Sequence, residues 1–151
     1  MRTVDRIAIR APIERVFAVA SEVEQWPDFL SHYRWVKVLE RNGGGCKVDM
    51  AAWRPFGWLR YPTRWVSEMK VDRTGHQVIY RHVEGITRGM DVEWSMHDRG
   101  TEVEVVIVHE WNGPSWPLIG GLAAELVIGP VFINGIASRT LAGVKRRAEA
   151  A

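Results

Sequence analysis

Apolar residues recur at helical spacing near the end of the chain. Stepping about 100° per residue from Ile133 places apolar and small side chains on one half of a helical wheel. Polar and charged residues occupy the other half, apart from Arg147 in the last turn. The apolar half consists of Phe132, Ile133, Ile136, Ala137, Thr140, Leu141, Val144 and Ala148. This pattern predicts a long amphipathic C-terminal helix whose apolar face must be covered.

The segment just before this helix, residues 116–129, is apolar but interrupted. Gly120-Gly121 and Gly129-Pro130 break it, and it carries Glu125. We expect a hinged lid here, with Glu125 either turned outward or facing the interior with a raised pKa. The same breaks and polar residues argue against a transmembrane helix, although the apolar run is long enough for one. We therefore predict no membrane span, while peripheral membrane contact stays open.

The start of the chain predicts one strand and two short helices. Residues 2–10 alternate polar and apolar positions, which is typical of a strand. Pro12 suits the first turn of a helix over residues 12–20. A second short helix is expected around residues 25–31.

Alternating stretches then continue from Tyr33 to the C-terminal segment. Clusters of Gly, Asn, Asp and Pro separate them, as expected for a meander of antiparallel strands. The predicted strands are 34–41, 46–54, 60–72, 76–84, 89–98 and 101–112.

Strand registers place apolar and aromatic side chains on one face of this sheet. The turn at Asp98 to Thr101 predicts the pairs Met96–Val103, Trp94–Val105, Val92–Ile107 and Met90–His109. The turn at Asp72 to Gly75 predicts the pairs Met69–Val78, Ser67–Tyr80 and Trp65–His82. The inner face then includes Val36, Val38, Val48, Met50, Trp65, Tyr80, Trp94 and Ile107. We predict an α+β fold in which a curved antiparallel sheet of about seven strands wraps the C-terminal helix and leaves a cavity.

Composition narrows the class of protein. The 151 residues, 46% hydrophobic and 25% charged, fit one globular domain over residues 1–151. Eight tryptophans indicate either aromatic cavity walls or simply a bulky core. The net charge of +2 argues against a nucleic-acid partner. The single Cys46 excludes an internal disulfide, and the N-terminus shows no apolar signal core, so we expect a cytoplasmic protein.

Several segments together resemble the START-like, Bet v 1-like (SRPBCC) superfamily. They are IAIRAPIERVFAVASEVEQWPDFLSHY at the start, RWVSEMKV at 64–71, the hairpin through GMDVEWSM and TEVEVVIVHEW, and the ending SRTLAGVKRRAE. Within that superfamily the chain is most similar to polyketide cyclase/dehydrases, the aromatase/cyclases. The resemblance covers nearly the whole chain and implies the helix-grip fold, with two short helices after the first strand.

The resemblance also implies site residues. Tyr33, Ser67 and His82 match polar positions that line the pocket of such enzymes, whereas Met69 stands where they carry an arginine. We expect Tyr33, Ser67 and His82 to be catalytic. The expected ligand-binding residues are Trp65, Met69, Tyr80, Trp94, His109 and Asn134.

Each of these polar residues also has a structural interpretation. Ser67 and Tyr80 can form a satisfied hydroxyl pair, Tyr33 can be a core-edge aromatic, and His82 and His109 can be buried structural histidines. The two histidines lie two strands apart with no third ligand, so we expect no metal. No Gly-rich phosphate loop is present, and we expect no cofactor.

Two functional hypotheses follow. The first is a cyclase/aromatase that directs aldol cyclisation and dehydration of a poly-β-ketone, with an acyl carrier protein as a partner. The second is a non-catalytic carrier or sensor of a polyketide, lipid or quinone, which the missing arginine favours. The stretch RPFGWLRYP at 54–62, with Phe56, Trp58, Leu59 and Tyr61, could form an entrance lid or a membrane-touching tip.

Overall fold

A computed structural model describes residues 2–56, 59–85, 87–112 and 130–150, apart from the side chains of residues 54–59, 61 and 130–134. The strands are β1 (Arg2–Ile9), β2 (Tyr33–Asn42), β3 (Gly45–Phe56), β4 (Leu59–Asp72), β5 (Gln77–Gly85), β6 (Asp91–Asp98) and β7 (Val103–Glu110). The helices are α1 (Ile13–Ser21), a 3-10 turn (Val23–Gln25), α2 (Trp26–Phe29) and α3 (Pro130–Glu149).

The strands form one antiparallel sheet of seven, in the order β1-β7-β6-β5-β4-β3-β2. After β1 the chain crosses through the short helices to the opposite edge. It then returns strand by strand until β7 pairs with β1. The α+β class and the curved sheet around a C-terminal helix are confirmed.

Both predicted hairpin registers are wrong: by two residues at the pairs near the turns, and by three at Trp65, beyond an irregularity between Val66 and Ser67. The structure pairs Met96 with Val105 and Met69 with Tyr80. The reason is loop length. In each hairpin four residues separate the last paired positions, and an aspartate closes the turn: Gly75 N donates to Asp72 Oδ1 at 2.9 Å. Because side chains alternate with a period of two, a shift of two residues leaves the side chains near both turns on their predicted faces.

Every predicted pair in these two hairpins has a different partner in the structure. The structure places Trp94 opposite Ile107, Val92 opposite His109, Asp98 opposite Val103, Ser67 opposite His82, Val71 opposite Val78, and Trp65 opposite Gly85. Met90 lies just before β6 and bonds through its carbonyl to His82 N at 2.9 Å.

Helix α3 closes the concave side of the sheet. It contacts β1, β3, β7 and α1, and its buried side chains belong to the predicted apolar half. At Gly143 a side chain would overlap Leu30, so the absence of a Cβ lets α3 approach the segment after α2 closely. The buried residues of α3 are Ala137, Thr140, Leu141, Val144 and Ala148.

Tryptophans occupy both faces of the sheet. Trp26, Trp65 and Trp94 are buried on the concave side, whereas Trp35 and Trp53 are half-buried and belong to the outer face. The interpretation of the tryptophans as aromatic cavity walls therefore holds for only some of them.

Two predicted features lie outside the described residues. They are the lid at 116–129 with Glu125, and the side chains of Phe56, Trp58, Leu59 and Tyr61. Of the helices that the structure describes, none is long and apolar enough to cross a bilayer.

Candidate functional site

A cavity of about 80 Å³ lies between the concave face of the sheet and α3. Aromatic and aliphatic side chains dominate its wall, because inward positions of β3 to β7 alternate with the outer face. Its lining consists of Trp26, Tyr33, Met50, Trp65, Tyr80, His82, Thr87, Met90, Val92, Trp94, Ile107, His109, Ile136, Ala137 and Thr140. Polar side chains reach the cavity from three directions: the start of β2, the β5–β7 part of the sheet, and α3.

Thr140 joins Tyr33 and His32 at the helix side of the cavity. Thr140 Oγ1 donates to Ile136 O at 2.8 Å, so its hydroxyl must accept from His32 Nε2 at 3.0 Å. Burial lowers the pKa of His32 to about 4, with Arg139 contributing, so the ring is neutral. Burial raises the pKa of the Tyr33 phenol, although its hydrogen bond with Thr140 opposes this. Tyr33 therefore keeps its proton.

His82 is held at the sheet side of the cavity. Its Nδ1 lies 2.6 Å from Thr87 Oγ1, and its ring stacks on Trp65 with centroids 5.7 Å apart. Burial lowers its pKa to about 3, with His109 adding a smaller effect. These contacts fix the ring orientation and leave Nε2 without a partner among the described residues.

Two lining residues bury polar atoms that no described residue satisfies. They are Tyr80 Oη and His109 Nδ1. Burial raises the pKa of Tyr80 well above its usual value and lowers that of His109 to about 4. A buried polar atom without a partner costs free energy, so these two atoms are the natural contacts for a ligand.

The cavity thus offers neutral hydrogen-bonding groups on an aromatic wall. Among the lining residues that the structure describes, none carries a carboxylate, ammonium or guanidinium group. Such a surface can bind a flat, largely apolar molecule with carbonyl or hydroxyl groups, and it disfavours an ion.

Six of the residues expected at the site are brought together in this cavity. They are Tyr33, Trp65, Tyr80, His82, Trp94 and His109. The side chain of Asn134 lies outside the described part of the chain.

Ser67 and Met69 do not line the cavity. Ser67 is fully buried and lies between its cross-strand partners Val48 and His82, both of which have larger side chains. The interpretation of Ser67 and Tyr80 as a hydroxyl pair is wrong, because neither oxygen has a partner among the described residues. Met69 lies beside Cys46, whose Sγ is 3.9 Å from Met69 Sδ, and faces a separate groove.

Sequence reasoning missed three polar residues. Thr140 lies in the predicted apolar half of α3, and a polar residue at such a position could have indicated that it faces the cavity. His32 sits one residue before Tyr33, and Thr87 lies in the loop between β5 and β6. Nothing in the local pattern distinguishes Thr87 from an ordinary turn residue.

Residues 9–131 match the family model described as polyketide cyclase / dehydrase and lipid transport. A curated relative, a putative polyketide cyclase from Streptomyces halstedii, is 33% identical over 93 residues, which is 61% of this chain and 84% of that protein. This chain therefore belongs to the polyketide cyclase/dehydrase and lipid transport family.

Solved structures agree with the helix-grip fold. The protein TTHA0849 from Thermus thermophilus superimposes with a TM-score of 0.82 at 22% identity, covering 98% of this chain and 97% of that one. The Zhui aromatase/cyclase from Streptomyces sp. R1128 gives a TM-score of 0.75 at 18% identity, covering 99% of this chain and 91% of that one. At these identities the likeness shows the fold alone.

Proposed function

We propose that this protein binds a carbonyl-bearing, largely apolar molecule of the poly-β-ketone type and directs its aldol cyclisation and dehydration. The observation that supports the proposal is the aromatic cavity with four neutral hydrogen-bonding residues, Tyr33, Tyr80, His82 and His109. An acyl carrier protein that delivers the chain, and a cytoplasmic location, are parts of the same proposal.

The residues have distinct roles in this scheme. A neutral imidazole, His109 or His82, removes the proton next to a ketone. Tyr80 Oη donates to the enolate oxygen as charge develops there. The enolate carbon then attacks a second carbonyl, and the alkoxide that forms takes the proton back from the imidazolium. The neutral imidazole next removes a second proton from the same carbon, the hydroxide leaves as the double bond forms, and the imidazolium protonates it to water. The aromatic walls orient the chain, which alone can account for much of the rate.

A carrier of polyketides, lipids or quinones is the second candidate. It is favoured by the lack of charged groups among the described lining residues and by the lowered pKa values of His82 and His109, which make both weak bases. The family description itself includes lipid transport.

The size of the cavity bears on both candidates. Ligand pockets usually have volumes of several hundred Å³, whereas this cavity has about 80 Å³. A ligand with two fused rings therefore requires the walls to move apart when it enters.

A product assay separates the two candidates. Incubation with a poly-β-ketone thioester mimic, analysed by liquid chromatography and mass spectrometry, should change the ratio of ring products from the spontaneous one. His109→Gln should return the ratio at least halfway to the spontaneous value, while His97→Gln on the exposed face should not. An unchanged ratio with intact binding of the mimic would establish the carrier and end the cyclase proposal.

A further inference from the structure

Cations and indole rings alternate on the outer face of β2 to β4. Arg34 lies between two rings, 4.9 Å from the centroid of Trp35 and 4.8 Å from that of Trp53. Lys37 covers Trp35 at 5.0 Å, and Arg60 covers Trp53 at 4.5 Å. These five residues form a continuous stack across three strands, which we call the cation–indole face.

Asp49 fixes the position of this stack. Trp35 Nε1 donates to Asp49 Oδ1 at 3.3 Å. Arg64 donates to both oxygens of the same carboxylate at 2.9 Å. Arg64 is therefore the main partner of this carboxylate. Lys37, which lies opposite Asp49, adds a smaller attraction that also lowers the pKa of Asp49.

Positive charge is concentrated here. Within the described part of the chain, Arg34, Lys37 and Arg60 form no ion pair. The outer face of the other half of the sheet is different, because its arginines pair with carboxylates, as in Arg2–Glu110 and Arg81–Asp91. A chain with a net charge of only +2 therefore presents on one surface three cations that form no direct ion pair with the described residues.

We propose that the cation–indole face docks the protein on the surface of an anionic phospholipid bilayer. A guanidinium stacked between rings keeps its in-plane N–H groups free, and these suit phosphate oxygens. Indoles prefer the headgroup level of a membrane, where their apolar rings and N–H groups are both satisfied. The cations and indoles of this face therefore suit the phosphate groups and the headgroup layer of a bilayer.

The shape of the hairpin favours a bilayer over an acidic protein. The pairs from Arg54–Tyr61 to Phe56–Leu59 extend beyond both neighbouring strands. Its outermost described residues are of apolar type, with Arg60 next to them and Arg34 at the base. A projecting hairpin end with apolar residue types, next to the cations of this face, fits the boundary between headgroups and acyl chains.

The face also lies directly behind the cavity. Trp53 N donates to His32 O at 2.6 Å, and Arg34 follows Tyr33, which lines the cavity from the other side of β2. Docking on a bilayer would place this cavity wall next to a reservoir of apolar ligand. The docking itself does not depend on cyclase activity.

Vesicle sedimentation tests the proposal. The protein is mixed with phosphatidylcholine vesicles, with or without phosphatidylserine, at low and high salt. We expect binding to the anionic vesicles at low salt, little binding without phosphatidylserine, and release by salt. Arg34→Glu/Lys37→Glu/Arg60→Glu should weaken binding at least about tenfold, since each basic residue near the surface contributes to attraction.

A matched variant controls for net charge. Lys70→Glu/Arg73→Glu/Arg88→Glu changes the total charge equally but elsewhere on the exposed surface, and it should bind within about twofold of the unmodified protein if docking is local. Circular dichroism of both triple variants confirms that they fold. Equal loss in both variants would overturn the proposal. So would salt-sensitive binding to an acyl carrier protein in place of vesicles.

Discussion

Tyr80 and His109 are the two cavity-lining residues whose buried polar atoms affect both stability and ligand binding. Each buries a polar atom that no described residue satisfies, so each costs stability in the unliganded protein. Binding of a ligand that supplies the missing hydrogen bond removes that cost.

Tyr80→Phe should separate stability from binding. Removal of the hydroxyl should leave the free energy of unfolding unchanged or raise it by up to about 1 kcal/mol, while affinity for a hydroxynaphthoquinone falls about five- to tenfold. Urea unfolding and fluorescence titration measure the two quantities. Tyr33→Phe is the control, because it breaks the bond to Thr140 and should lower stability by about 1 kcal/mol. Lower stability with unchanged affinity in Tyr80→Phe would contradict this assignment.

The buried histidines should make stability depend on pH. His82 and His109 have pKa values of about 3 and about 4 in the folded protein, because burial disfavours the charged ring. In the unfolded chain both titrate near pH 6.5. Between these values the unfolded state binds more protons, so stability is complete above about pH 6.5 and falls as the pH drops toward 4.

The expected slope is about 1.4 kcal/mol per pH unit for each histidine. Urea unfolding between about pH 7 and about pH 5 measures it. His109→Gln should reduce this slope by about 1.4 kcal/mol per pH unit, because one fewer proton is taken up on unfolding. A slope that His109→Gln leaves unchanged would show that this ring is already charged in the folded state.

At the scale of elements, the contact between α3 and the segment after α2 depends on Gly143. Alanine forms helices better than glycine by about 1 kcal/mol. A Cβ at this position would overlap Leu30, which is 1% exposed and cannot easily move. Overpacking of this kind costs about 1–3 kcal/mol.

Gly143→Ala should therefore lower the free energy of unfolding by about 1 kcal/mol in the natural background. In the Leu30→Ala background the same change should be stabilising by a similar amount, because the space is then free. A double-mutant cycle from urea unfolding gives the coupling. Equal effects in both backgrounds would show that the two residues do not compete for space.

Elements were predictable where the pattern is periodic. The alternation in β2 to β7 and the helical spacing of α3 identified which residues face inward, and the structure confirms those faces. The exact pairing was not predictable, because an aspartate can close a loop of two or four residues with the same sequence signal. The error near both turns is two residues, an even number, so the side chains there keep their predicted faces.

The site was only partly predictable from the sequence. The inward direction of His82 and His109 follows from strand alternation, which fixes the direction of a side chain. Tyr33 was instead implied by the family resemblance. Ser67 shows where this fails, since direction does not determine whether larger neighbours cover a small side chain. The bond between His82 and Thr87 joins a strand to a loop, and no periodic pattern positions a loop residue.

At the scale of the whole molecule, the sheet separates two surfaces with different chemistry. The concave side with α3 encloses neutral hydrogen-bonding groups and aromatic rings. The outer face of β2 to β4 carries cations stacked on indoles. A protein that takes up an apolar ligand at one surface and docks through the other would combine the two parts of its family description.

Methionine methyl groups report directly on whether the cavity is the binding site. Met50 and Met90 line it, whereas Met69 and Met96 are buried elsewhere in the same core. Titration of protein labelled with ¹³C-methyl methionine with a hydroxynaphthoquinone should shift the signals of Met50 and Met90 saturably and leave those of Met69 and Met96 nearly unchanged. Saturable shifts at Met69 with none at Met50 and Met90, or no saturable shift at all, would contradict binding in this cavity.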